Sequence, residues 1–171
     1  MRPDRARVMM EGLVAGLLGY AAVALFFGVV NLIGGRNFFY TAARLGSGLT
    51  GAAPGAADTA VLPGPVFAYN GVHLLAFLVI GFVAAWLVFE TEKHPDFFPI
   101  FLFIALGGAF ANVAAFTAIS EIRSGELSLW AVLGANAAAG AAMGAYLVRA
   151  HPRLWRELRE GSDPEAEEGV S

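Results

Sequence analysis

Four stretches without charged residues organise the chain. Apart from Glu11, no Asp, Glu, Lys or Arg lies between Arg7 and Arg36, none between Asp58 and Glu90, none between Asp96 and Glu121, and none between Glu126 and Arg149. Each stretch holds about 20 to 24 predominantly apolar residues, which as helix rise about 30 to 36 Å and cross a hydrocarbon core of about 30 Å. The spacing predicts spans at 12–33, 66–89, 97–120 and 129–148. Backbone groups in lipid must be satisfied within their own segment or in a closed barrel. No run alternates with period two over ten residues, so the spans are read as helices. The expected fold is all-α: a four-helix transmembrane bundle forming one domain over 1–158. Arginines precede the first span, as in a signal peptide, but its apolar core exceeds the roughly 7 to 15 residues of such a segment, which predicts a retained helix.

The connections sort the helices. "ETEKHPD" and "EIRSGEL" are tight turns, so neighbours in sequence are antiparallel neighbours in space, with little room for a further domain. The connection between the first two spans is long. Its first part, "RNFFYTAARLGSGL", is amphipathic and predicts a short interfacial helix or re-entrant segment; its second, "TGAAPGAADTAVLPGP", is rich in Gly, Ala and Pro and predicts irregular backbone. Such a loop either caps the outer end of the bundle or is a flexible connector.

Composition agrees with the pattern. Of 171 residues 57% are hydrophobic and 15% charged, against about 25% charged in a soluble domain. Four spans put both termini on one side. Arg2, Arg5, Arg7, Lys93, Arg149, Arg153, Arg156 and Arg159 fall on that side, and Arg36, Arg44 and Arg123 on the other. The positive-inside rule then places both termini in the cytoplasm of a bacterial inner membrane protein. The net charge of −3 comes from the acidic stretch 159–171, which reads as a disordered tail. The chain has no cysteine, which excludes disulfides and thiolate metal sites, and no basic patch of a size suited to nucleic acid.

Small residues spaced by four mark packing faces: Gly12 and Gly16 in the first helix, Gly140 and Gly144 in the last. They serve packing within the chain, self-association or docking onto another membrane protein. The last helix, with Ala137 and Ala141 beside its glycines, is expected to be the most buried.

Polar residues inside spans are few. Counted from the predicted outer ends, His73, Asn112 and Asn136 lie about 10 to 12 Å deep on three helices, with Asn31, Asn70 and Thr117 nearer the surface. Polar side chains in spans face the bundle interior and find one another. The layer either fixes helix register or forms a ligand site. A histidine and an asparagine suit a quinone or lipid headgroup carbonyl. A haem usually takes two ligands, and no second histidine shares this depth, so haem would require a second subunit. A transport path needs polar groups at successive depths, which the inner half lacks. Arg36 and Glu121 are placed to pair at the outer rim, and Glu11 to pair with Arg7 one turn back. His94 and His151 each precede a proline at the cytoplasmic boundary, where they mark helix ends; with Asp96 they fall short of a zinc site, which wants four ligands or three and water. No nucleophile–base trio or phosphate-cradling loop is present.

"GRNFFYTAARLGSGL", "YNGVH", "WAVLGAN" and "RAHPRL" together resemble a group of small four-span bacterial membrane proteins, over most of the chain up to about Trp155. The resemblance implies architecture and a bacterial inner membrane and no particular activity. The absence of catalytic groups predicts a non-catalytic accessory or structural subunit of a larger membrane complex, partnered by lipid and by other subunits or itself. A quinone-, lipid- or haem-binding protein is the alternative, and a small transporter or channel the third.

Overall fold

Two helices crossing glycine to glycine set the positions of everything else. The computed structural model describes residues 5–51, 61–94, 129–152 and 156, and the described residues form four helices and no strand. These are α1 (Arg5–Ile33), α2 (Tyr40–Thr50), α3 (Pro63–Lys93) and α4 (Leu129–Ala150). α1, α3 and α4 are each long and apolar enough to cross a membrane. The predicted span 97–120, the tail 159–171 and the residues Asn112, Thr117 and Glu121 lie outside the described residues.

α1 and α3 pack closely because neither has a side chain at the crossing. A Cβ on Gly16 would stand 2.7 Å from the Phe77 carbonyl oxygen and 2.9 Å from the Leu78 Cα; one on Gly12 would stand 2.8 Å from the Phe82 Cα; one on Gly81 would stand 2.8 Å from the Gly16 Cα. In lipid, close backbone approach replaces the hydrophobic drive that assembles helices in water. The adjoining side of α1 receives α4: Gly134 meets the Phe26 ring, and Gly19 meets both the Met143 sulfur and the Phe77 ring. α1, rather than the last helix, is therefore the common wall, and among the described residues α3 and α4 barely touch. Ala15, Phe77, Ala85, Ala135, Ala139 and Met143 fill the seams. Outward-facing Leu25, Val29, Leu75, Val79 and Trp86 stay exposed. Such a surface would drive association in water and is ordinary against lipid.

α1 and α3 overrun the predicted spans, with 29 and 31 residues, or about 44 and 46 Å. An apolar run measures the thickness of the hydrocarbon, whereas a helix continues through Arg, Glu and Lys, which are good helix formers. The ends have their own signals. α1 stops at Gly35, φ +70°, where Arg36 N–H bonds the Asn31 carbonyl (2.8 Å) and Gly35 N–H the Leu32 carbonyl (3.0 Å). That is a Schellman motif, which requires the left-handed conformation glycine tolerates. α3 opens with Pro63, whose missing N–H would be unpaired in a first turn in any case. It ends at His94, φ −136°, before Pro95, as the residue preceding a proline leaves helical space.

Between α1 and α3 the chain makes α2, which lies against the start of α3, with Gly46 close to Pro65. α2 is the short amphipathic helix expected there. Thr41 Oγ1 donates to Asn31 Oδ1 (2.9 Å), and Asn31 Nδ2 donates to the Phe38 carbonyl (3.0 Å). Both side chains are buried. Thr41→Val keeps the shape and leaves Asn31 Oδ1 without its donor, a loss of about 1 to 3 kcal/mol. The expected result is faster amide exchange across 40–50 with α1 unchanged, measured by hydrogen–deuterium exchange.

Candidate functional site

The Ile33 end of the α1–α3 pair, covered by α2, encloses a cavity of about 500 Å3. α1 contributes Tyr20, Phe27 and Asn31; α2 contributes Thr41 and Ala42; α3 contributes Val66, Tyr69, Asn70 and His73; Phe38 and the exposed Phe39 and Phe67 complete it. Antiparallel packing explains the set: going down α3 from Pro63 to His73 is going up α1 from Asn31 towards Tyr20.

Most polar groups on this wall already have partners. Tyr20 Oη donates to Asn70 Oδ1 (2.8 Å), and Asn70 Nδ2 donates to the Val66 carbonyl (2.8 Å). Asn31 and Thr41 serve one another. His73 is the exception: its Nε2 is buried with no hydrogen-bond partner among the described residues. Aromatic rings surround it instead. Tyr69 stacks on the imidazole at 5.2 Å between centroids, Phe77 meets it edge-on at 5.0 Å, and Tyr20 lies tilted at 6.0 Å. None of the described lining residues is acidic or basic, so the ring has no counter-ion here.

The described members of the predicted polar layer are not at one level. His73 meets Tyr20, whereas Asn136 stands between Gly134, which meets Phe26, and Met143, which meets Gly19. Asn136 is thus about one turn nearer the Ile33 end. It donates to the Val132 carbonyl of its own helix (2.9 Å) and does not line the cavity. His73, Asn70 and Asn31 do come together, joined by Tyr20, Tyr69 and Thr41, which the sequence did not single out. At the rim, Arg36 lies over the Tyr40 ring, 4.5 Å from its centroid. Of the predicted packing glycines, Gly12 and Gly16 sit in the α1–α3 crossing, while a Cβ on Gly140 or Gly144 meets none of the described residues within 4 Å.

The Arg5 end is held by charge. His151, just past α4, is the most buried titratable side chain described, at 1% exposure. Its Nε2 donates to Glu11 Oε2 on α1 at 2.6 Å. Its Nδ1 lies 2.8 Å from Glu92 Oε1 on α3, off the line a hydrogen bond needs, so Glu92 is a close neighbour and not an acceptor. Arg7 closes the group: Nε donates to Glu11 Oε1 (2.8 Å), a terminal guanidinium nitrogen donates to the Ala150 carbonyl (3.2 Å), and the cation lies 5.4 Å from the Phe89 centroid. Arg7 and Glu11 form the expected i,i+4 pair. His151 turns to two carboxylates and not to His94, which is exposed. With nitrogens and oxygens this close there is no space for an ion between them, and no group of three His, Asp or Glu among the described residues is arranged for a metal. This clasp is structural; the cavity is the site with an unused group. Compared with protein-family models, curated proteins and solved structures, the chain matches none of them.

Proposed function

We propose that this chain is a four-crossing protein of a bacterial inner membrane, with both termini in the cytoplasm, that binds a small lipid-soluble molecule in the cavity near its outer end. The observation that carries the binding reading is the unpartnered Nε2 of His73 beside a cavity of about 500 Å3, within the range typical of small-molecule pockets. A buried polar nitrogen without a partner costs free energy, and an occupant with a polar head removes that cost.

The directions of the described helices support a fourth crossing. α3 ends beside the start of α1, where Glu92 and Glu11 both approach His151, and α4 begins beside the far half of α1, where Gly134 meets Phe26. The uncharged stretch between Asp96 and Glu121 is the part of the connection suited to return the chain across the bilayer. The basic residues near the Arg5 end support the cytoplasmic placement of the termini.

The experiment is to extract the protein in native lipid discs and identify co-purifying small molecules by mass spectrometry, for wild type and for His73→Ala. The expected result is one molecule retained at near-stoichiometric level by the wild type and depleted in the variant. Equal contents in the two proteins overturn the reading.

A second reading, an accessory or self-associating subunit of a larger membrane assembly, has its own observation. Ala137, Gly140 and Ala141 on α4 are exposed and turned away from α1, a face that accepts another helix at close range. A cavity that proves empty, together with a stable partner in mild detergent, selects this reading.

A further inference from the structure

We infer that the occupant of the cavity is uncharged and places a flat carbonyl- or hydroxyl-bearing ring of the quinone or quinol class against His73 and Tyr69, with its apolar tail along Phe27, Val66 and Phe67. This rests on the reading of the cavity as a ligand site and specifies what that ligand is.

Charge comes first. None of the described lining residues is acidic or basic. A phosphate, carboxylate or ammonium drawn down to His73 would shed hydration and meet no counter-ion among the described lining residues, a cost a neutral hydrogen bond offsets poorly. Phospholipids and fatty acids are therefore poor occupants by their heads.

Orientation follows from which polar groups are still free. Towards the Ile33 end, Asn31 accepts from Thr41 and donates to the Phe38 carbonyl, and Asn70 accepts from Tyr20 and donates to the Val66 carbonyl. A polar head there would have to break an existing bond. About 15 Å further along α3 from Pro63, the imidazole has an unused nitrogen. A ring with no counter-ion works as a neutral group, one nitrogen donating and the other accepting, so it serves a carbonyl or a hydroxyl alike. For that nitrogen to meet a ligand the ring must turn about its terminal torsion, which has two broad orientations.

Shape completes the case. The Tyr69 ring is nearly parallel to the imidazole, at 18°. Stacked aromatic rings beside a single hydrogen-bonding nitrogen suit a planar head, which offers its edge to the nitrogen and its face to neighbouring rings. A branched or glycerol-based head has no such flat face.

The test uses the full chain in discs of zwitterionic lipid, with a short-tailed benzoquinone as probe and a fatty acid of matching tail length as competitor. The wild type should bind the quinone saturably, and the fatty acid should fail to displace it. His73→Ala should weaken binding about tenfold, the size of one neutral hydrogen bond, and His73→Gln should recover most of the loss. Ala42→Trp, which fills the cavity from α2 and leaves His73 untouched, should abolish binding even if His73→Ala folds poorly. Displacement by the fatty acid, wild-type affinity in His73→Ala, or unimpaired binding in Ala42→Trp overturns the inference. If native discs yield a bound molecule that the quinone does not displace, this inference falls and the binding reading stands. If native discs yield nothing and neither probe binds, both fall.

Discussion

Glu11→Ala destabilises the protein by about 1 to 3 kcal/mol, the cost of leaving a buried hydrogen-bonding group without its partner. Glu11 is 7% exposed and serves two donors: one oxygen accepts from Arg7 Nε and the other from His151 Nε2. Without it, His151 remains almost wholly covered and loses its hydrogen-bonded partner, and Glu92 lies off the line needed to accept in its place. Arg7, half exposed, turns to water at little cost. The damage therefore falls on the joint between α1 and the end of α4. SDS titration in mixed micelles, followed by circular dichroism, measures the loss. A change below about 1 kcal/mol, the usual worth of an exposed pair, would mean that the clasp is wet and replaceable. Lys93→Ala makes the contrast, because its partner Glu90 is about one-third exposed; that change is expected to stay within the range of surface pairs.

The second large effect belongs to the glycine crossing. Gly81→Leu is expected to cost at least about 3 kcal/mol, the upper part of the range for overpacking. The atoms in the way are backbone: a Cβ at this position reaches the Gly12 carbonyl and stands 2.5 Å from the Gly16 nitrogen. A flexible side chain would swing aside; a helix backbone moves only as a whole. The same titration reads the loss, and Gly71→Leu is its control, since a Cβ at Gly71 meets none of the described residues within 4 Å and Gly71 is exposed. If Gly81→Leu is as mild as Gly71→Leu, the two helices do not cross where these glycines place them.

The two experiments mark what the amino-acid pattern discloses and what it hides. Long apolar runs between charges announce helices, and α1, α3 and α4 lie where those runs predict. Their ends do not, because Arg7, Glu11 and Glu92 look like boundary residues until each is seen facing its partner. Glu11 and His151 are 140 residues apart, a separation over which no local periodicity carries information. Gly12 and Gly16 stand out by their spacing of four, whereas Gly81, single in an apolar run, gives no sign that it faces them. His73 was conspicuous as an imidazole among apolar residues. Its neighbours Tyr20 and Tyr69 were not, since an aromatic in a span ordinarily means packing or the interface. Depth counted from predicted ends put His73 and Asn136 on one plane. Each helix starts at its own height, and the contacts along α1 separate the two by about one turn.

The clasp also imposes an order on biosynthesis. A ribosome delivers Glu11 to the membrane long before His151 exists, so the early helices must wait with an acidic group near the bilayer surface, held only by its own arginine. The last helix is then the closing element, and a chain cut short before it leaves that carboxylate without its buried partner. Quality-control proteases that sense polar groups at the membrane surface would have a direct means of telling the unfinished product from the finished one.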